Sequence, residues 1–325
     1  MSTFRETGLK PEIISAIELM GFEKPTPIQE KTIPALLESE NDILALAQTG
    51  TGKTAAFGLP VLNQIDLNDK NVQALVLCPT RELCVQISKD IESFSANLKG
   101  LKTVAVYGGA NITNQIKDLK AGGQIVVGTP GRTLDLIKRK ALKINKISWL
   151  VLDEADEMLN MGFIDDIETI LSKLDSQRKV WMFSATMPAP IMKIVKNMFK
   201  EPKTVKVAKK TLSNESIEQF YCLLDKRSFK EGLCRFLQTE KDPYAIIFCE
   251  TREETKFMAE YLSDRNMPSV ALHGDLTQKD RDFSMDKFRT KRATILVCTD
   301  VAARGIDIQD ITHVINYGIP RNLDS

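Results

Sequence analysis

The stretch DILALAQTGTGKT, residues 42–54, decides how this chain is read. Its first half, DILALAQ (42–48), is an apolar run of strand length. The second half breaks into glycine and threonine before a helical segment begins. A strand, a Gly-rich turn and a helix in that order make an anion cradle, because backbone N–H groups close around phosphates where no side chain intervenes. In AQTGTGKT (47–54), Gln48, Thr49, Gly50, Thr51 and Gly52 form the turn, Lys53 brings a compact positive charge for outer phosphates, and Thr54 brings a hydroxyl for Mg²⁺. The first position is Ala47 rather than the glycine of the strict pattern. A GKT string alone fits an ordinary Gly-rich turn; its place between strand and helix favours a nucleotide.

The same rhythm runs outward from that stretch. VQALVLCP (72–79), KTVAVYGG (102–109), QIVVGTP (124–130), SWLVLDEAD (148–156) and VWMFSAT (180–186) are short apolar runs ending in Gly, Pro, Asp, Ser or Thr. Helical segments follow most of them, the pattern of a parallel sheet buried on both faces by crossover helices. Pro11 and Gly21 punctuate the first helix. After the polar, basic TVKVAKKTLSNES (204–216) the pattern restarts with IEQFYCLL (217–224), YAIIFCET (244–251), SVALHG (269–274), ATILVCTD (293–300) and THVINYG (312–318). Two parallel α/β domains are therefore expected, 1–205 and 216–325, joined by a linker at 206–215. Ligands of such sheets bind beyond the carboxyl ends of the strands, where the polar residues of these runs fall.

The bulk numbers exclude several classes. With 325 residues, 43% hydrophobic and 27% charged, the chain has the composition of a packed soluble protein. A net charge of +1 gives no global attraction for nucleic acid, so any such site must be local. Six cysteines without a CxxC pair and only two histidines argue against a disulfide framework or a Cys/His metal site. The start MSTFRETGLK is no secretory signal, and no run has the length of a membrane span. A cytoplasmic protein is expected, with His273 and His313 given no catalytic role.

VLDEADEML (151–159) delivers Asp153 and Glu154 at a strand end. Asp153 suits a Mg²⁺ ion held largely through water, and Glu154 suits orienting or deprotonating an attacking water. Alone, the pair reads equally as an acidic helix start. Taken with AQTGTGKT and SAT (184–186), the string DEAD resembles the DEAD-box family of ATP-dependent RNA helicases. GFEKPTPIQ (21–29), PTREL (79–83), Gly108–Gly109, TPGR (129–132), IIFCET (246–251), HGDLTQKDR (273–281) and TDVAARGID (299–307) are similar to that family's motifs, in order, over nearly the whole length.

The resemblance implies two RecA-like domains in tandem, with ATP and Mg²⁺ bound by the first and RNA as partner. Gln29 is implied to read the adenine edge, as an amide that both donates and accepts. An aromatic is implied to stack on the base, Phe4 rather than Phe22, which sits beside a helix end. Asp307 is implied to touch the nucleotide from the second domain. RNA backbone contacts are implied for Pro79, Thr80, Arg81, Gly108, Gly109, Thr129, Gly131 and Arg132, and for Thr251, Gln278, Arg281 and Thr299 in the second domain. Without an aromatic stripe, binding is expected to be independent of base sequence. Ser184 and Thr186 are implied to bond toward Asp156 and couple hydrolysis to RNA binding, and Thr186 also reads as part of the cap of the helix after Pro188.

The same resemblance sets an expectation about the end of the chain. Nothing matches the family's HRxGRxxR motif, and Gly318 stands where its NYD-x-P segment carries Asp. The second domain is thus expected to be incomplete, and hydrolysis weak without those arginines. The alternatives are an ATP-regulated RNA clamp or an inactive truncated product that does not turn over, and a DNA translocase, against which Gln29 and DEAD argue.

Overall fold

The computed structural model describes residues 3–48, 50–206, 217–303, 308 and 310–318. The chain divides into two units, Met1–Asn214 and Glu215–Ser325. In the first, α1 (Pro11–Leu19) and α2 (Pro27–Glu38) precede β1 (Ile43–Leu46), α3 (Lys53–Gln64), β2 (Ala74–Leu77), α4 (Arg81–Phe94) and β3 (Thr103–Val106). There follow α5 (Ile112–Lys120), β4 (Ile125–Gly128), α6 (Pro130–Lys138), β5 (Trp149–Leu152) and α7 (Ala155–Asn160). The unit ends with α8 (Ile164–Lys173), β6 (Lys179–Ser184), α9 (Ala189–Met198) and β7 (Lys203–Lys206).

The seven strands pair in parallel in the order β3-β4-β2-β5-β6-β1-β7. Alternate side chains leave each strand on opposite faces, which builds two cores. Ile43, Ala45, Trp181 and Phe183 join one with α1 to α4, while Leu44, Val180 and Met182 join the other with α6 to α9. Asp42, 2% exposed, pins the start of β1 between its neighbours by accepting from Val180 N (2.6 Å) and Lys200 N (2.7 Å).

That strand order positions the chemistry. The turns carrying AQTGTGKT, SAT and DEAD follow β1, β6 and β5, three contiguous strands. The turns carrying PTREL, TPGR and Gly108–Gly109 follow β2, β4 and β3, also contiguous. The carboxyl edge of one sheet is therefore divided into two halves that meet between β5 and β2, where Asp153 N donates to Leu77 O at 2.9 Å.

The second unit contains α10 (Phe229–Thr239), β8 (Ala245–Cys249), α11 (Arg252–Ser263), β9 (Ser269–Leu272), α12 (Gln278–Arg289), β10 (Ile295–Thr299) and β11 (His313–Asn316). Its four parallel strands run β11-β8-β10-β9, with one core around Ile247 and Val297 and another around Leu296 and Cys298. One expectation fails here: IEQFYCLL (217–224) forms no strand. Phe220, Tyr221 and Leu223 are 87–89% exposed, because an apolar run with no neighbouring strand among the described residues gains neither a ladder nor burial. Among the described residues no helix is long and apolar enough to cross a membrane.

Candidate nucleotide and nucleic-acid site

In the first half of the edge, the turn after β1 is closed by Gly52 at φ 88, a left-handed conformation in which a Cβ would also collide with the Gln29 amide. Gln29 is 2% exposed and already bonded on both sides: its Nε2 donates to Gly52 O (3.1 Å) and its Oε1 accepts from Thr26 N (2.9 Å). Thr26 Oγ1 donates to Thr51 O at 2.9 Å. Two residues at the start of α2 thus hold the phosphate turn from outside. Thr26 went unrecognised in the sequence, although Thr26-x-x-Gln29 has the spacing of a capping box.

Lys53 opens α3 and is 6% exposed. Its Nζ lies 3.7 Å from Asp153 Oδ1, an ion pair beyond hydrogen-bond reach, and has no hydrogen-bond partner among the described residues. A buried amine without an acceptor is costly by about 1–3 kcal/mol, more when charged, and an anion's oxygen would supply what is missing. Thr54 follows it, half-buried in the first turn of the helix, and Gln48 and Gly50 are exposed.

Asp153 and Glu154 leave β5 through a strained turn. Glu154 has φ 52 and ψ 51, left-handed for a residue with a side chain, and its N–H donates to Asp153 Oδ1 at 3.0 Å. Burial raises both carboxyl pKa values. For Asp153, burial outweighs the opposing charge of Lys53. For Glu154, burial and then the neighbouring Asp153 push it up to about 7, the range suited to a general base. Asp156, on α7, receives both Thr186 N (2.8 Å) and Thr186 Oγ1 (2.9 Å) through Oδ2. Ser184 does not reach it; its Oγ donates to Thr186 O at 2.7 Å and shapes the turn instead. Nor does Thr186 cap the next helix, since α9 has Pro188 at its N-cap and no side-chain cap bond.

Phe4 departs from its expected place. It is 2% exposed, in a short turn (Phe4–Thr7) ended by Gly8, with its ring 6.2 Å from Phe22. Phe22 is half-buried and meets Phe94 edge-on at 5.9 Å. Apolar burial has drawn Phe4 into the core, so its ring offers no open face to a base.

The second half of the edge is already knitted together. Pro79 is buried, and Thr80 caps α4 by accepting from Leu83 N at 3.2 Å, which leaves its own proton to give. The Arg81 guanidinium lies over Gly108 and Gly109, and a Cβ at Gly109 (φ 84) would collide with it. Thr129 is 7% exposed and starts α6, with Gly131 in its first turn. Arg132 donates to Ala110 O (3.2 and 3.3 Å) and Gln115 Oε1 (2.8 Å), and Gln115 Nε2 donates to Tyr107 O (3.0 Å). Arg132 is thus chiefly a tie between α6 and the turn after β3. No sequence signal marks Gln115 as its partner.

In the second unit, Thr251 caps α11 by accepting from Glu254 N (3.1 Å), Gln278 Nε2 donates to Asp282 Oδ1 (2.8 Å), and Arg281 Nη2 donates to Ala302 O (2.5 Å). Thr299 ends β10, and all four stand at the carboxyl edge of β8, β9 and β10. His273, 2% exposed, follows β9, and burial lowers its pKa. Thr49 and Asp307 lie outside the described residues. Among the described residues no group of three or more His, Cys, Asp or Glu could hold a metal by itself.

Comparison with known proteins agrees with this geometry. The DEAD/DEAH box helicase family model matches residues 26–194, and the helicase conserved C-terminal domain matches 229–325. The ATP-dependent RNA helicase CshA of Listeria monocytogenes is 47% identical over 325 residues, all of this chain and 62% of that protein. CshA of Bacillus subtilis is 45% identical, over 99% of this chain and 65% of its own length. The chain thus spans a little under two thirds of these relatives. Among solved structures, Saccharomyces cerevisiae Dbp5 bound to RNA and ADP BeF3 has a TM-score of 0.89 at 31% identity, covering 100% of this chain and 82% of that one. A DEAD box protein from the hyperthermophile Methanococcus jannaschii has a TM-score of 0.62 at 43% identity, covering 99% of this chain and 86% of that one. With both core models matched in order and the name-giving tetrapeptide at the end of β5, the chain belongs to the DEAD-box family of ATP-dependent RNA helicases.

Proposed function

We propose that this chain is an RNA-stimulated ATPase that remodels short RNA duplexes. The observation that carries it is the buried Lys53 ammonium, short of a hydrogen-bond acceptor among the described residues, at the start of the helix that follows the Gly-rich turn. An outer phosphate of ATP completes it. Residues 50–54 wrap the phosphates with backbone N–H groups, and Gln29, which the family resemblance implies for the adenine edge, braces that turn through Gly52 O.

The carboxylate of Asp153 fits a hydrated Mg²⁺, with the Thr54 hydroxyl as a second ligand. Burial has stripped Asp153 of water, and a cation restores its charge balance better than the distant Lys53 amine. When bound, that ion neutralises charge on the phosphates. Glu154 takes the proton of the attacking water, its buried carboxyl raised toward the range suited to a general base. Asp156 and Thr186 tie the turn after β5 to the turn after β6, so a shift at one is felt at the other. RNA is held along its backbone by Thr80, Arg81, the glycine pair and Thr129, and by Thr251, Gln278, Arg281 and Thr299 of the second unit. The preference for RNA over DNA is inferred from the family.

The test is ATP turnover by residues 1–325 with and without single-stranded RNA, against single-stranded DNA. Stimulation by RNA alone, abolished in Lys53→Ala, is the expected result. Turnover that survives Lys53→Ala sinks the proposal, and binding of both ligands without turnover favours the clamp.

A further inference from the structure

We propose that the first unit carries a second RNA-backbone contact, on the edge of its sheet opposite the one described above, built from Lys138, Lys140, Lys143 and Lys146. The run IKRKALKINK (137–146) holds five basic residues and no acidic one. All five are exposed, while Leu142 and Ile147 are buried and Ile137, Ala141 and Ile144 pack against the core. The segment thus turns every apolar side chain inward and every charge outward. It connects the end of α6 to the start of β5, so the parallel topology places it at the amino edge of the sheet. Ser148 N donating to Gln73 O (2.8 Å), just ahead of β2, fixes it there.

Two features mark the run. Arg139 is paired with Asp135 at 2.8 Å, and Asp69 lies in the field of Lys146. Lys138, Lys140 and Lys143 have no ion pair among the described residues. By contrast, the comparable run in the second unit is matched: Lys291 pairs with Asp310 (3.6 Å) and Arg292 with Asp286. Second, Lys140 ends α6 at φ 56, the left-handed position that glycine takes at helix ends, with Lys140 N bonded to Ile137 O and Ala141 N to Leu136 O. A lysine there is strained where glycine is not.

The chemistry selects a polyanion held by its backbone. No aromatic lies in the run to stack a base, and no apolar side chain is left outward to enter a bilayer. RNA is favoured over an acidic protein by continuity: α6 begins next to Thr129, one of the backbone contacts proposed above, and ends at the basic run. Nine residues of helix span about 14 Å, roughly four phosphates at the spacing of a duplex strand. An RNA longer than the first site reaches the second. This inference rests on the RNA reading of the first site.

The experiment measures RNA affinity of residues 1–325 by fluorescence anisotropy from about 50 to 200 mM KCl, with single strands of about 8 and about 30 nucleotides. For the combined variant Lys140→Ala, Lys143→Ala, Lys146→Ala, the longer RNA is expected to lose about tenfold in affinity and about 2 in its log–log salt slope. Affinity for the shorter RNA and the ATP turnover it stimulates stay unchanged, and the corresponding triple Lys→Arg variant binds as the parent does. Lys140→Gly is expected to raise Tm by about 2–3 °C while weakening the longer RNA two- to threefold. An unchanged salt slope on the longer RNA, or equal losses on both lengths, overturns the proposal. So does loss of polyglutamate binding with RNA binding intact, which assigns the patch to an acidic partner. If neither RNA binds the parent chain, the proposed function falls with it; if only the short one's behaviour holds, this inference alone falls.

Discussion

The two halves of the carboxyl edge of the first unit are built in opposite ways. Around β1, β6 and β5 the neutral polar groups and Asp156 are bonded, but three charged side chains are left wanting: among the described residues the Lys53 amine has no hydrogen-bond acceptor, Asp153 and Glu154 are buried carboxyls with raised pKa values, and Glu154 sits in a left-handed turn. Around β2, β4 and β3 they are provided for, with Thr80 capping a helix, Arg132 shared between Ala110 and Gln115, and Arg81 laid over two glycines. The difference teaches where a ligand gains most. A phosphate entering the first half supplies the acceptor that the buried Lys53 amine is short of among the described residues. A backbone entering the second half meets a finished surface and gains a little at each of several contacts.

The sharpest way to break this contrast is Lys53→Ala. Nucleotide affinity should fall at least about a thousandfold, roughly 4 kcal/mol, while Tm falls only by what Asp153 loses with its buried counter-charge 3.7 Å away. A large loss of Tm instead, with affinity preserved, would make Lys53 structural. Next is Glu154→Gln. The parent carboxyl rises from 4.5 to about 7 on folding, so the folded state holds its proton more tightly and unfolding free energy falls as pH rises through that window. Above pH 7 the variant should be more stable than the parent by up to about 3 kcal/mol, the two converging below pH 4.5. Denaturant melts across pH read this, and ATP turnover of the parent should climb with pH through about 7 while the variant stays inactive.

Asp156→Ala removes the shared acceptor of two Thr186 donors and should cost about 2 kcal/mol, with Thr186→Val about half of that by chemical denaturation. The smallest effect belongs to the finished half. Arg132→Ala should destabilise by about 1 kcal/mol, weaken RNA by only a few-fold and leave nucleotide affinity unchanged by calorimetry.

Much of this was legible in the sequence because it follows from period and punctuation. Strands buried on both faces read as unbroken apolar runs, and the turns that break them carry the chemistry, which is why Lys53, Asp153 and Glu154 were found together. What stayed hidden depends on partners distant in sequence. Gln115 meets Arg132 only after α5 has folded back, and the Ser184 hydroxyl turns to a neighbouring carbonyl rather than to Asp156. Phe4 was read as a base-stacking ring, but aromatic character does not distinguish an open face from a core position, and the core took it. IEQFYCLL has the apolar content of a strand, yet a strand needs a neighbour as much as a composition.

The division of one edge into a nucleotide half and an RNA half is tested most directly by a crossed pair of variants in the full chain. Nucleotide affinity, by titration calorimetry without RNA, is measured for Lys53→Ala and for Arg81→Ala, and RNA affinity is measured for the same two without nucleotide. Lys53→Ala should lose nucleotide and keep RNA within about twofold, while Arg81→Ala should lose RNA about tenfold and keep nucleotide. Equal losses of both ligands in both variants would contradict the division.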